Sequence, residues 1–146
     1  MNFLDSLAIS ATGLSAQRLR MNLISSNMAN VNTTRTETGD PYKRKDVVFE
    51  AAQNSGFQDM LNEQLDNQGH GVKVAAITED EKPFIEKYDP NHPDADENGY
   101  IRLPNVNIVE EMVNMISASR SFEANATAIR STKDMAGTAL DIGSNR

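Results

Sequence analysis

Seven-residue apolar series stand near both ends of this 146-residue chain. Near the start, Leu7, Leu14, Met21 and Met28 recur at that interval; Leu4 and Ala11 precede the first two by three residues, and Ile24 and Val31 follow the last two by three. Near the end, Ile108, Met115, Phe122, Ile129 and Ala136 repeat the interval. Met112, Ala126 and Leu140 flank that line four residues on, with Ser119 and Lys133 as its polar members. An apolar series held at seven residues over four or five repeats makes a continuous helical seam that packs along another helix. The two series predict helices over residues 3–30 and 107–141, although Gly13 and the serines weaken the first. Pro104 stops what precedes the second helix. Asn107 can cap it, with Glu110 three residues on in a capping-box arrangement. At ~1.5 Å per residue the helices would be ~40 and ~50 Å long.

The stretch between them has a different character. Residues 26–45 read SNMANVNTTRTETGDPYKRK, a polar, turn-prone patch directly after the first apolar series. Asn30 and Asn32 can take left-handed conformations that end a helix. Thr33, Thr34, Thr36 and Thr38 favour extended backbone, Pro41 fixes a bend, and Tyr42 with Lys43, Arg44 and Lys45 offers an amphipathic contact strip. Val47–Phe49 reads as a strand, residues 51–68 are ambiguous between a short helix and a loop, and residues 72–78, 83–88 and 99–103 read as three short strands in a small sheet module. The expected fold is therefore mainly α: two long terminal helices pairing as a coiled coil, with a small β-rich insert between them. The parts are an N-terminal helix (1–31), an extended linking segment (32–56), the insert (57–103) and a C-terminal helix (104–146).

Composition sharpens this reading. Aromatics make up only 5% of the chain, Trp is absent, and mean hydropathy is −0.53, so a deep core is hard to build from this chain alone. A two-helix pair leaves apolar flank uncovered, since Leu23 and Val113 lie off the main lines. The seams are expected to pack also on neighbouring copies. Net charge is −7, which argues against a nucleic-acid partner. The acid is concentrated centrally, with eleven Asp/Glu against three Lys between Phe57 and Tyr100. No Cys is present, so disulfides, thiolate nucleophiles and Cys-based zinc sites are excluded. The start resembles no secretory signal: nothing basic precedes the apolar residues, and polar residues interrupt them.

Candidate chemistry is sparse. Asp94, Asp96 and Asn98 fall at the first three ligand positions of a calcium loop, with Gly99 and Ile101 in register. The closing position is Asn105 where a bidentate Glu belongs, and Pro104 stands beside it. A hydrated acidic turn is the favoured reading; a calcium-responsive coiled-coil adaptor is the rival. His70 and His92 lie in polar surroundings without a second ligand at metal spacing, and nothing orders Ser, His and Asp into a triad. No catalytic residue, cofactor, metal or small-molecule substrate is expected.

Residues 10–33 (SATGLSAQRLRMNLISSNMANVNT) with 39–50 (GDPYKRKDVVFE), and residues 104–135 (PNVNIVEEMVNMISASRSFEANATAIRSTKDM), resemble the two ends of the bacterial flagellar basal-body rod protein family. The Gly-x-Pro-Tyr-Lys-Arg run and YDPNHPDADENGYI (88–101) bring the resemblance nearest to proximal-rod members. Asp40 stands where a second Gly is common. The resemblance implies a structural subunit of the periplasmic rod, exported by the flagellar type III apparatus without a cleaved signal. Its terminal helices would form an inner coiled-coil layer around the export channel. Partners would be other copies, other rod proteins, the inner-membrane ring and hook-basal-body adaptor proteins. Expected seam residues are Leu7, Leu14, Met21, Ile24, Met28 and Val31 on the first helix, and Ile108, Met112, Met115, Phe122, Ile129 and Leu140 on the second. Asn30, Asn32, Thr33, Pro41, Tyr42, Lys43 and Arg44 would bridge to adjacent subunits.

Overall fold

The computed structural model describes residues 3–52 and 71–144. Its elements run α1 (Phe3–Ala29), β1 (Lys45–Ala51), β2 (Val72–Glu79), β3 (Ile85–Tyr88), β4 (Tyr100–Leu103) and α2 (Ile108–Ser144). The chain is thus helical at both ends with a β insert between, as the seven-residue series imply. From residue 53 on, the ambiguous stretch 51–68 lies outside the described residues, as does His70. The expected single sheet module is corrected: β1 pairs with β2 and β3 with β4, as two separate two-stranded sheets. Two features part β2 from β3. Pro83 cannot donate to a ladder, and Asp80 accepts the backbone N–H of Lys82 at 3.0 Å in a turn between them.

The residues gather into two compact units, through both of which the helices pass. One contains Met1–Leu19, Phe49–Ala75 and Ala118–Arg146; the other contains Arg20–Val48 and Ala76–Ser117.

In the first unit α1 and α2 approach through small residues. A Cβ added to Gly13 would lie 3.1 Å from the Asn125 amide nitrogen, and Ala16 (4%), Ala118 (0%) and Thr132 (8%) are the buried side chains. Thr12 Oγ1 donates to the Ile9 carbonyl at 2.7 Å and accepts the N–H of Val72 at 3.0 Å, which ties the start of β2 to α1. The ribbon is closed beside it by Ala52 N–H donating to Gly71 O at 2.7 Å.

In the second unit Ile24, Ile101, Pro104 and Val106 are buried. α1 ends without a left-handed residue, contrary to the expectation for Asn30 and Asn32, since no non-glycine residue described has positive φ. Instead the Asn30 side chain donates to the Ser26 carbonyl at 2.9 Å, and Thr33 N–H to Asn30 O at 3.0 Å. These bonds satisfy carbonyls at the helix end by other means. The Asn/Thr patch then closes on itself: Thr36 N–H donates to Asp40 O and Gly39 N–H to Thr36 O, both at 2.9 Å. Gly39 supplies the one positive φ of that loop, +89°.

β3 and β4 are antiparallel, with Ile85 opposite Leu103 and Tyr88 opposite Tyr100. The acidic turn joining them is exposed, as expected, and carries its own hydrogen bonds. Asp96 Oδ1 accepts the N–H groups of Asn98 (2.9 Å) and Tyr100 (2.8 Å), and Asp94 Oδ2 accepts from Thr34 Oγ1 at 2.7 Å. Asn107 caps α2 as expected, its Oδ1 accepting from Val109 N–H (3.0 Å) and Glu110 N–H (3.4 Å).

Two helical glycines should behave in opposite ways. Gly137 has open space where a Cβ would go, so Gly137→Ala should raise stability by ~0.5–1 kcal/mol. Gly13→Leu, driven into Asn125, should lower it by ~1–3 kcal/mol. Urea unfolding of the two variants measures both; equal shifts would mean that the helices do not meet at Gly13.

Candidate functional site

The most specific side-chain cluster lies where the chain leaves α1 and comes back. After the loop over residues 30–41, Tyr42 N–H donates to Thr33 O at 3.2 Å, and the next residues return to the last turns of α1. There Asn27, wholly buried, makes four hydrogen bonds. Its Oδ1 accepts from Tyr42 OH (2.9 Å) and from Lys45 N–H (2.9 Å). Its Nδ2 donates to Lys45 O (2.8 Å) and to Glu111 Oε2 (3.1 Å). That uses the full donor and acceptor capacity of a carboxamide.

Glu111 enters from the first turn of α2, also wholly buried. Its second oxygen accepts from Arg44 Nε at 2.8 Å, and Arg44 Nη1 reaches Asp46 at 3.1 Å. Burial disfavours the Arg44 charge, but hydrogen bonds to Glu111 and Asp46, with their negative charges, outweigh it and hold the guanidinium pKa above its ordinary value. A carboxylate withdrawn from water costs several kcal/mol unless paired and hydrogen-bonded. Here it is both.

The cluster holds three parts of the chain together and offers no open reactive group. Among the described residues no three His, Cys, Asp or Glu side chains gather as a metal site. The carboxylates that resemble calcium ligands are already engaged: Asp96 bonds its own turn, and Asp94 bonds Thr34. His92 Nδ1 accepts the N–H of Asp94 at 3.1 Å.

Of the bridging residues read from sequence, Tyr42 and Arg44 turn inward to Asn27 and Glu111, and Pro41 is buried. Asn30 and Thr33 are half-buried, while Asn32 and Lys43 are exposed. On α1, Ile24 is buried and Leu7, Leu14, Met21 and Met28 are half-buried; Val31, expected on the same seam, is half-buried but lies in the turn after the helix ends at Ala29. On α2, Met115, Phe122 and Ile129 are half-buried, but Ile108, Met112 and Leu140 are exposed. The most covered line of α2 lies beside the expected one, through Glu111, Ala118, Asn125 and Thr132, again seven apart. Small and polar residues occupy that line, and the large apolar ones fall on its flank and beyond. Sequence reasoning missed Asn27 and Glu111. The available signal was a seven-residue series of small and polar residues running parallel to the apolar one.

Apolar surface remains outside. Ile108, Val109, Met112, Val113 and Ile116 form a strip over the first turns of α2, with Val109 65% and Val113 61% exposed. Beside it, a groove of ≈ 660 Å³ is lined by Ser25, Met28, Ala29, Met112, Met115 and Ile116. In the other unit a groove of ≈ 690 Å³ is lined by Phe3, Ser6, Thr132, Met135, Ala136, Ala139 and Leu140. Contiguous exposed apolar surface of this kind marks an interaction face.

A bonded polar clamp inside and apolar strips outside define a protein built for association. Comparison with known proteins says which kind. Residues 7–35 match the family "Flagella basal body rod protein", and residues 97–142 match "Flagellar basal body rod FlgEFG protein C-terminal". The chain is 49% identical to the flagellar basal-body rod protein FlgC of Borreliella burgdorferi over 149 aligned residues, covering 97% of this chain and 98% of that one. It is 47% identical to FlgC of Bacillus subtilis (98% and 99% covered) and 38% identical to FlgC of Salmonella typhimurium (98% and 99%). The chain belongs to the FlgC family of flagellar basal-body rod proteins, and it is a structural subunit of the basal-body rod. The rival calcium adaptor gains no support from these relatives.

Removing one member of the clamp strands the others. Arg44→Ala should lower unfolding free energy by ~3–5 kcal/mol, because Glu111 loses its counter-ion while buried. Tyr42→Phe, which removes one hydrogen bond to Asn27, should cost only ~0.5–1.5 kcal/mol. Denaturant unfolding checks the order; a loss from Tyr42→Phe as large as from Arg44→Ala would deny the buried charge its role.

Proposed function

We propose that this rod subunit serves in the proximal rod of the periplasm, exported without a cleaved signal by the flagellar type III apparatus. In this reading its terminal helices pair as a coiled coil around the export channel, and its helical assembly transmits torque. The parts 1–31 and 104–146 would form the inner helical layer, 57–103 the insert, and 32–56 the connection between them. Neighbours would be further copies, other rod proteins, the inner-membrane ring and hook-basal-body adaptor proteins.

The observation that carries the assembly reading is the uncovered strip Ile108–Val109–Met112–Val113–Ile116 at the start of α2. Covering a Leu- or Met-sized side chain stabilises by ~1.5–3 kcal/mol, so a few strip and groove residues outweigh the cost of ordering a contact. Leu7, Leu14, Met21, Met28, Val31, Met115, Phe122 and Ile129 would add their half-exposed flanks, with Ile108, Met112 and Leu140 as the outermost members and Ile24 as internal support. Within the bridging segment the division of labour is refined. Tyr42 and Arg44 hold the segment to its own helices and Pro41 is buried, while exposed Asn32 and Lys43 would reach a neighbour, with Asn30 and Thr33 shaping the turn.

The strip supplies a direct test. Val113 is exposed in the single chain, so Val113→Asp should leave folding and export intact yet abolish incorporation into purified basal bodies and swimming. Phe122→Asp, on the flank, should do the same with some loss of stability, and exposed Glu123→Ala should be neutral. Normal incorporation of Val113→Asp would show that the strip is not an intersubunit contact.

A further inference from the structure

Two of the three tyrosines of the chain face each other across the β3–β4 hairpin. Tyr88 stands opposite Tyr100, and the N–H of the next residue, Asp89, donates to Gly99 O at 2.9 Å. The tyrosines are therefore a non-hydrogen-bonded pair, the kind whose side chains stand closest in an antiparallel ladder. Their rings meet edge to face with centroids 5.3 Å apart. Gly99 makes room for this: a Cβ there would lie 3.0 Å from Cε2 of Tyr88, a ring carbon ortho to the hydroxyl. Asp96 holds the backbone of Tyr100, its N–H donating to Tyr100 O at 2.9 Å and its Oδ1 accepting Tyr100 N–H at 2.8 Å.

The pair is also open. Tyr88 is 63% and Tyr100 44% exposed, and neither hydroxyl has a hydrogen-bond partner among the described residues. Tyr42, the third tyrosine, is half-buried, and its hydroxyl donates to Asn27 Oδ1 at 2.9 Å. With no Cys and no Trp in the chain, tyrosine is its most readily one-electron-oxidised side chain. Two phenols held together, reached by water and free to turn have the proximity that radical coupling needs.

We propose that Tyr88 and Tyr100 form an oxidative coupling site, at which a one-electron oxidant of the peroxidase class joins the two rings as dityrosine and staples β3 to β4. Each phenol gives up one electron and its hydroxyl proton. The two phenoxyl radicals pair through ring carbons ortho to oxygen, forming one C–C bond, and the hydrogens on those carbons move to the oxygens. The net loss is two electrons and two protons, which one hydrogen peroxide accepts to become two waters. Paired rings meet at an effective concentration near millimolar, so at ~10 µM protein the internal link should form about a hundredfold faster than links between chains.

The test treats the dilute full chain with a peroxidase and hydrogen peroxide and follows dityrosine fluorescence. The chain should stay monomeric on a denaturing gel. The tryptic peptide 88–102, which holds both tyrosines, should become lighter by two hydrogens. Cutting it at the acidic residues between them should leave its halves joined. Tyr88→Phe and Tyr100→Phe, which keep the rings, should each lower the initial rate about a hundredfold and leave only concentration-dependent coupling between chains. Tyr42→Phe should react as the parent does. Predominant coupling between chains, a link through Tyr42, or unchanged rates in either hairpin variant would overturn the proposal. So would consumption of tyrosine without the internal link.

Discussion

The contact on which the described structure turns is the buried meeting of Asn27 with Glu111 and Arg44. Two of its members, wholly removed from water, are polar, and one carries a charge. Such a group tolerates few arrangements, because any slip of the chain that separates Glu111 from Arg44 leaves a carboxylate unpaired in a dry site. Apolar seams tolerate sliding far better. One methionine replaces another at modest cost, whereas Asn27 must find Tyr42 OH, both backbone groups of Lys45, and Glu111 together. The clamp therefore fixes which turn of α1 faces which turn of α2 in that unit, and where the strand segment begins.

That constraint also explains how apolar surface is shared out. The covered positions between the helices are small or polar: Gly13 against Asn125, with Ala16, Ala118 and Thr132. In the first unit small residues let the backbones come close, while large apolar residues such as Met135 and Leu140 stay outside. A chain with few aromatics thus makes a specific intramolecular contact without spending its largest apolar side chains on it. Those side chains stay available for the association proposed above.

Much of the fold was legible in the sequence, and the limits of legibility have physical causes. Seven-residue spacing located both helices because it reports a face that stays in one direction. The Asn107 cap was readable because capping is local. The covered line of α2 was not, because the apolar series does not mark it: close helix approach selects small residues. Tyr42 and Arg44 were recognised as special, but their direction depends on Glu111, 67 residues further along than Arg44, and no local pattern encodes that pairing. The acidic turn is exposed, as its composition suggests; composition does not show that Asp96 also bonds two backbone N–H groups and Asp94 bonds Thr34. The division of the strands into two sheets likewise depends on which partner each finds, and only Pro83 gave a local hint of it.

The most direct measurement of the central claim is a double-mutant cycle between Asn27 and Arg44, which both touch Glu111 without touching each other through their side chains. Stabilities of the parent, Asn27→Ala, Arg44→Ala and the double variant give the coupling. If Glu111 joins them in one buried unit, the two losses are non-additive by ~1–3 kcal/mol. Losses that add to within ~0.5 kcal/mol would mean that the residues act separately and that the clamp does not set the register.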